Sequence, residues 1–318
     1  MGKMRTMAQR PNNMADHPIV RRLLTAATLL LVLLPQLLSS QNVPGDTVRP
    51  TILPLYRWAI AAPHAPRIGA SFAPIDDRVR LDIGGTIPLW RPVDPSVDDT
   101  PSVPNAELGA DFFTWSSLRS ERDFKFPVEG VDYYFGFYGA LDLDLFDEPL
   151  FGSDRTRLIP TARVAHISAH LVDGDTLFRI GAEPFVYSRE FVDLDLAVEL
   201  TRSNRPTLDG WFRTTIGFRY LFHTIPVGLS RFSPALSLDG AIAPSMVLPI
   251  TLEAGYHLRL DQERESILEH RARLGLKAAG LYESGLLFEI GYHNGRSVYG
   301  QYFPRREEGW SLGFRVVM

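Results

Sequence analysis

The sequence predicts an all-β, transmembrane antiparallel β-barrel of about 12 strands. Three observations carry that prediction: a period-two alternation of apolar and polar residues that recurs along the chain, segments long enough to cross a bilayer as tilted strands, and an export signal at the N-terminus. The 318 residues include no cysteine, which excludes a disulfide scaffold, a thiolate metal site, a cysteine nucleophile and a lipid anchor on an N-terminal cysteine. With 33 Lys and Arg against 37 Asp and Glu, the chain is not basic enough for a general nucleic-acid binder. Its 25 Gly and 24 Pro are too many for a helical bundle and too few for a disordered chain.

The first segment, 1–40, reads as a cleaved signal peptide. Arg21 and Arg22 precede the uncharged run Leu23–Leu38, and Ser39 and Ser40 lead into polar residues. Pro35 and Gln36 interrupt the run, which is marginal for a membrane-crossing helix, so a retained anchor is only the rival reading. Removing 1–40 takes away five basic residues and one acidic residue, leaving 28 basic against 36 acidic and a net charge of −8. That composition suits an exported protein of the bacterial envelope. Residues 41–65 are proline-rich without alternation and read as a periplasmic lead-in; residues 66–318 read as the barrel. Within it, 92–105 carries four prolines with Asp94, Asp98 and Asp99, a solvated loop.

The alternation is clearest over 131–145. Val131, Tyr133, Phe135, Phe137, Leu141, Leu143 and Leu145 share one parity, and Asp132, Tyr134, Gly136, Tyr138, Asp142 and Asp144 share the other. In 189–200, Val192, Leu194, Leu196, Val198 and Leu200 oppose Asp193, Asp195 and Glu199; in 212–222, Phe212, Ile216, Phe218, Tyr220 and Phe222 oppose Arg213, Gly217 and Arg219. In 250–261, Leu252, Tyr256, Leu258 and Leu260 oppose Glu253, His257, Arg259 and Asp261. Residues 264–280 hold good helix formers, yet Leu274 and Leu276 oppose Arg271, Arg273 and Lys277, so a strand is predicted there too. The segments 286–293 and 310–318 alternate in the same way, and turn signals such as Asp173-Gly174 and Asn294-Gly295 separate the strands.

A soluble sandwich also alternates. A barrel differs in facing lipid with its apolar side while acids, arginines and glycines fill the lumen. Asp132, Asp142, Asp144, Arg189, Arg213, Arg219 and Arg259 are therefore expected inside. The arginines, with Arg271 and Arg273, could line an anion path; pairing with Asp193, Asp195, Glu199, Glu253 and Asp261 is the favoured reading. Trp115, Tyr133, Phe212, Tyr220, Phe222, Tyr292 and Trp310, towards strand ends, fit interfacial girdles.

Several separated stretches resemble an uncharacterised bacterial outer-membrane β-barrel family known as domain of unknown function 1207. They are Ala61–Ser71, the pair Asp132 and Gly136, His166-Ile167-Ser168-Ala169-His170-Leu171, Tyr187-Ser188-Arg189-Glu190, and Asn294-Gly295-Arg296-Ser297-Val298-Tyr299-Gly300-Gln301. After the His-Leu pair the family tends to continue Gly-Asp-Glu, whereas this chain has Val172-Asp173-Gly174-Asp175. The resemblance spans about 55–318 and implies an outer-membrane barrel of a Gram-negative-type bacterium without an established activity. The alternating C-terminal strand looks like the recognition signal read by the barrel-assembly machinery, with Met318 in place of the usual Phe.

One motif could carry chemistry. On a strand, His166 and Ser168 share a face, where the imidazole can serve as general base for the hydroxyl. The pair looks similar to the His-x-Ser of outer-membrane phospholipase A and the lipid A deacylases, which place Asn after the serine; here Ala169 stands there. Asp173, Asp193 and Asp195 are candidate orienters of His166. Because Ala165, Ile167, Ala169 and Leu171 form the apolar parity, His166, Ser168 and His170 are expected to point into the lumen, as packing rather than as a catalytic pair. His166 and His170 lie roughly 13 Å apart along a strand, too far to share one metal ion. No metal and no cofactor is expected. The reading with most support is a structural or solute-passage role with membrane lipid as partner. A membrane-lipid acyl hydrolase using His166 and Ser168 is the second reading, and a soluble secreted β-sandwich binding module the third.

Overall fold

The computed structural model describes residues 55–317 except 75–76, 93–105, 122, 124, 144–145, 147, 172–185, 203–207, 228–230, 245–248 and 262–265. The expected signal peptide and most of the lead-in lie outside the described residues, as do Asp144, Asp173 and most of the 92–105 loop. The chain divides into two units, Met1–Arg49 and Pro50–Met318, and the second is the barrel.

Its strands are β1 (Ile68–Ala73), β2 (Arg78–Trp90), β3 (Ala106–Arg119), β4 (Val128–Leu141), β5 (Arg155–Leu171), β6 (Tyr187–Arg202), β7 (Leu208–Ile225), β8 (Phe232–Pro244), β9 (Thr251–Asp261), β10 (Ile267–Lys277), β11 (Gly285–Arg296) and β12 (Arg306–Val317). Every strand pairs antiparallel with its chain neighbours, and β12 returns to β1 with Ile68 opposite Val316 and Phe72 opposite Leu312. Closure removes both sheet edges, so no open row of backbone donors and acceptors is left. The fold is thus a closed, 12-stranded antiparallel barrel, and the β-sandwich reading is overturned. Seven strands of 13 to 18 residues exceed what a soluble sheet commonly uses and are long enough to cross a tilted bilayer span. No helix among the described residues is long and apolar enough to cross a membrane; the crossing is made by strands.

The two faces are inverted relative to a soluble protein. Phe137 is 69% exposed and Ile216 65%, with Leu194, Leu196, Val164, Phe135, Leu252, Leu274 and Phe314 also on the outer surface. Arg163, Arg189, Asp132, Glu199, Arg213, Asp239 and Glu253 are buried. A water-soluble chain almost never buries so many charges while exposing such a belt. Lipid on the outside makes both halves favourable, because apolar side chains then meet acyl chains and the ions pair inside. The 264–280 stretch contributes β10, with Arg271 and Lys277 buried and Leu274 and Leu276 outside, as its parity predicts.

Inside, ion pairs tie strand to strand. Arg163 Nε donates to Asp111 Oδ2 at 3.0 Å, and Arg219 reaches both oxygens of Asp193 at 2.7 and 2.8 Å. Arg157 bridges Asp142 and Glu199, Arg296 meets Asp261 at 2.6 Å and Arg315 meets Glu253 at 2.5 Å. Asp132, Asp142, Arg189, Arg213 and Arg219 are buried on the inner side of the wall.

Residues 55–65, the described end of the expected 41–65 lead-in, lie with Pro66 inside the barrel. Leu55 and Tyr56 are buried against Tyr138, Ala140, Ile159 and Ala197 on the inner wall. The Leu55 amide donates to Glu107 Oε2 at 3.1 Å, Trp58 Nε1 to Asp111 Oδ1 at 3.1 Å, and the Ile60 amide to Asp239 Oδ1 at 2.8 Å. The Arg163 guanidinium lies 3.9 Å from the centre of the Trp58 ring. A second segment folds inward from the β11–β12 connection: Val298 O accepts from Trp115 Nε1 at 3.1 Å, Gly300 N donates to Asp132 Oδ2 at 2.8 Å, and Gln301 Nε2 donates to Ala169 O at 3.1 Å. Trp115, expected in a girdle, is instead fully buried in the inner aromatic cluster with Phe113, Tyr134, Phe191, Tyr299 and Tyr302.

Candidate functional site

The inner aromatic cluster sets the orientation of the far half of β5. Ala165 and Ile167 belong to that cluster, and Ala169 is buried beneath Gln301. Apolar parity here faces the lumen, so His166, Ser168 and His170 point outward, opposite to the expectation. The usual sign of the alternation fails because this part of the lumen is filled by protein, not by charge-paired water-facing side chains. Arg163, four turns of pleat from the strand end, still obeys the ordinary rule and is buried among carboxylates.

Antiparallel register places His166 opposite Glu190 and Ser168 opposite Ser188. Directly opposed residues on one face have Cβ atoms about 4.5–5.5 Å apart. His166 Nδ1 lies 2.7 Å from Glu190 Oε1, and the Ser188 hydroxyl donates to the same oxygen at 2.9 Å. Across the next pair, His223 Nδ1 contacts Glu190 Oε2. His223 reaches this position through a β-bulge: register shifts between Glu190 and Phe191, so that Leu221 turns inward while both Phe222 and His223 stay exposed. The outcome is an outward cluster of His166, Glu190, His223, Ser188 and Ser168, with Phe135 opposite His166 and Tyr133 opposite Ser168 on β4. Tyr133 also packs edge-on to His170 at 5.7 Å. The His166 side chain is 41% exposed and that of Glu190 25%, so both are reachable from the outer surface.

With Nδ1 held by a carboxylate, the imidazole keeps its Nδ1 proton and offers Nε2 as the accepting nitrogen. Ser168 stands two residues along the same face, about 6.6 Å of strand away. Its hydroxyl makes no side-chain hydrogen bond among the described residues. These are the residue types that nucleophile, base and base-orienting carboxylate require, with the carboxylate in contact with the imidazole and the serine further along the same face.

Asp193 and Asp195 do not orient His166. They lie on the inward parity of β6, Asp193 bound to Arg219 and Asp195 within 3.9 Å of Arg163. Asp173 lies outside the described residues. Sequence reasoning missed Glu190 and His223. Glu190 left a readable trace, since Ser188 and Glu190 carry polar side chains on the parity that becomes Val192, Leu194 and Leu196. His223 left none, because its direction depends on the bulge. No cluster of three or more His, Asp or Glu side chains suited to a metal ion occurs among the described residues.

A closed barrel with an outward apolar belt and a polar lumen defines the outer-membrane β-barrel class. Among solved structures, outer-membrane phospholipase A from Escherichia coli is similar in course, with TM-score 0.47 and 11% identity over 80% of this chain and 94% of that one. The Salmonella typhi outer-membrane phospholipase dimer with bound calcium gives 0.46 and 12% over 82% of this chain and 94% of that one. The NanC porin gives 0.37 and 11% over 80% and 100%. At these identities no residue role transfers from any of them. No family model matches the chain, and no curated protein does.

Proposed function

We propose that the protein is an outer-membrane hydrolase of membrane-lipid acyl esters, with Ser168 as nucleophile, His166 as general base and Glu190 as the positioning carboxylate. The observation that supports it is the outward-facing His166 with its Nδ1 bound to Glu190, on the face that it shares with Ser168. A lipid acyl hydrolase needs its nucleophile at the lipid surface, and Phe135 and Val164 beside the cluster belong to the exposed apolar belt. In the first step the Ser168 oxygen attacks the ester carbonyl while His166 Nε2 takes the hydroxyl proton. The same nitrogen then gives that proton to the leaving alkoxide, and an acyl-serine remains. Water, deprotonated by His166, releases the fatty acid and restores the serine. Glu190 stabilises the imidazolium formed at each proton transfer.

Passage of solute through the lumen is less well supported, because residues 55–66 and the Val298–Gln301 segment occupy it with side chains bonded to the wall. On this reading the location is the outer membrane of a Gram-negative-type bacterium, the partners are membrane lipid and the barrel-assembly machinery, and neither metal nor cofactor is required. The test is fatty-acid release from phospholipid or lipid A in mixed micelles by the refolded protein. The expected result is release that falls by about 10³-fold or more in Ser168→Ala. Equal release by Ser168→Ala, or none by the unaltered chain on either lipid class, would overturn the proposal.

A further inference from the structure

A cavity inside the lumen, separate from the outward cluster, is bordered by His64 and by strands β6 to β11. Five guanidinium groups reach it, those of Arg189, Arg219, Arg259, Arg271 and Arg296. Among the described residues, three carboxylates stand beside the four guanidinium groups of Arg219, Arg259, Arg271 and Arg296: Asp193 on Arg219, Asp261 on Arg296, and Glu269. Glu269 Oε1 is already engaged by the Arg296 amide at 3.0 Å. Arg259 forms no salt bridge and no side-chain hydrogen bond among the described residues, although Glu269 is its cross-strand partner in register. Arg271 has a single long bond, from its terminal nitrogen to Arg296 O at 3.4 Å. The Nε groups of Arg259 and Arg271 and the Nδ1 of His64 are buried without a partner.

Buried guanidinium groups left without an acceptor are costly, and native chains place a partner beside them. The cavity gives water centres ≈ 60 Å³, which is about four times what one water needs. Water could satisfy the N–H groups and would leave the excess positive charge uncompensated. A small anion with several acceptor oxygens would meet both demands, since guanidinium forks match the geometry of phosphate and carboxylate.

We propose that the lumen holds a binding site for a small tetrahedral oxyanion of the phosphate or sulfate class, gripped by Arg259 and Arg271. The site goes beyond the hydrolase reading and does not depend on it. Its two principal arginines stand on β9 and β10, whose outward neighbours Leu258, Leu260 and Leu268 separate it from the lipid phase. A lipid headgroup therefore cannot be its occupant, and free anion is the source.

The experiment uses the full barrel in detergent micelles and titrates inorganic phosphate against a chloride background of constant ionic strength, read by calorimetry and by thermal unfolding. One saturable site is expected, and it should weaken by at least about ten-fold in the double variant Arg259→Gln, Arg271→Gln. Arg155→Gln, which removes a charge from a half-exposed arginine near the start of β5, should leave the affinity within about two-fold. If the double variant does not refold, Arg259→Lys serves in its place, keeping the charge while losing the fork, and should still weaken binding about five-fold or more. Absence of saturable binding to the unaltered protein would overturn the proposal. So would equal stabilisation by phosphate and chloride, or undiminished affinity in the arginine variants.

Discussion

Glu190 is the residue on which the proposed chemistry turns. Its two oxygens serve His166, His223 and Ser188, and only the first of these is asked to move a proton. Glu190→Gln keeps the shape and loses the charge that stabilises an imidazolium. It should lower kcat by about 100-fold or more with little change in KM, and Glu190→Asp should recover part of that loss. A role confined to packing would give equal effects on both parameters, or none. His166→Ala and Ser168→Ala should cost about the same singly and together, because they act as one unit. His223→Ala removes a second imidazole from the same carboxylate and should cost far less than His166→Ala, measured on the same lipid substrate. At this scale the pair His166 and Ser168 was legible, since spacing by two on a strand fixes a shared face. Which face was not legible. Ala165, Ile167 and Ala169 look like lipid contacts, and they turn inward because Val298–Gln301 folds down onto them.

Elements obey a simpler logic. Period-two alternation in β4, β9, β10, β12 and the Val192–Leu200 part of β6 indicates which parity goes inside, and the structure follows it. The strap formed by 55–66 could not be read in this way. It has no alternation, and its partners Glu107, Asp111 and Asp239 lie 52 to 179 residues away in sequence. Asp111 is the centre of that attachment. It accepts from Trp58 Nε1, from Thr86 Oγ1 at 2.5 Å and from Arg163 Nε, and is only 3% exposed. Asp111→Ala leaves Arg163 and Trp58 without their acceptor and should destabilise the barrel by about 3–5 kcal/mol, read as a lower midpoint in urea in lipid or detergent. Trp58→Ala removes the ring under Arg163 and loosens the strap. Ion conductance in planar bilayers, near zero for the unaltered chain, should rise in that variant; unchanged conductance would mean that the strap is not what closes the lumen.

For the whole molecule, one separation governs fold and proposed function together: an apolar belt outside, the ion pairs inside, and a polar cluster set into the outer face at His166, Ser168 and Glu190. A cluster of that kind is costly on a lipid-facing wall unless it is used. The overall architecture was legible because closure and span length follow from repeated local pattern. The filled lumen was not, because it arises from two irregular segments with no periodic signal. The chain contains no cysteine, so single cysteines can be introduced one at a time without background. Spin labels at 163 to 168 on β5 and at 192 to 197 on β6, in protein reconstituted into vesicles, can be compared for collision with oxygen, which concentrates in lipid, and with a water-soluble nickel chelate. Oxygen contact should be high at 164, 166, 168, 192, 194 and 196 and low at the residues between them. High oxygen contact at 165 and 167, with 166 and 168 shielded, would contradict both the outward site and the separation on which it rests.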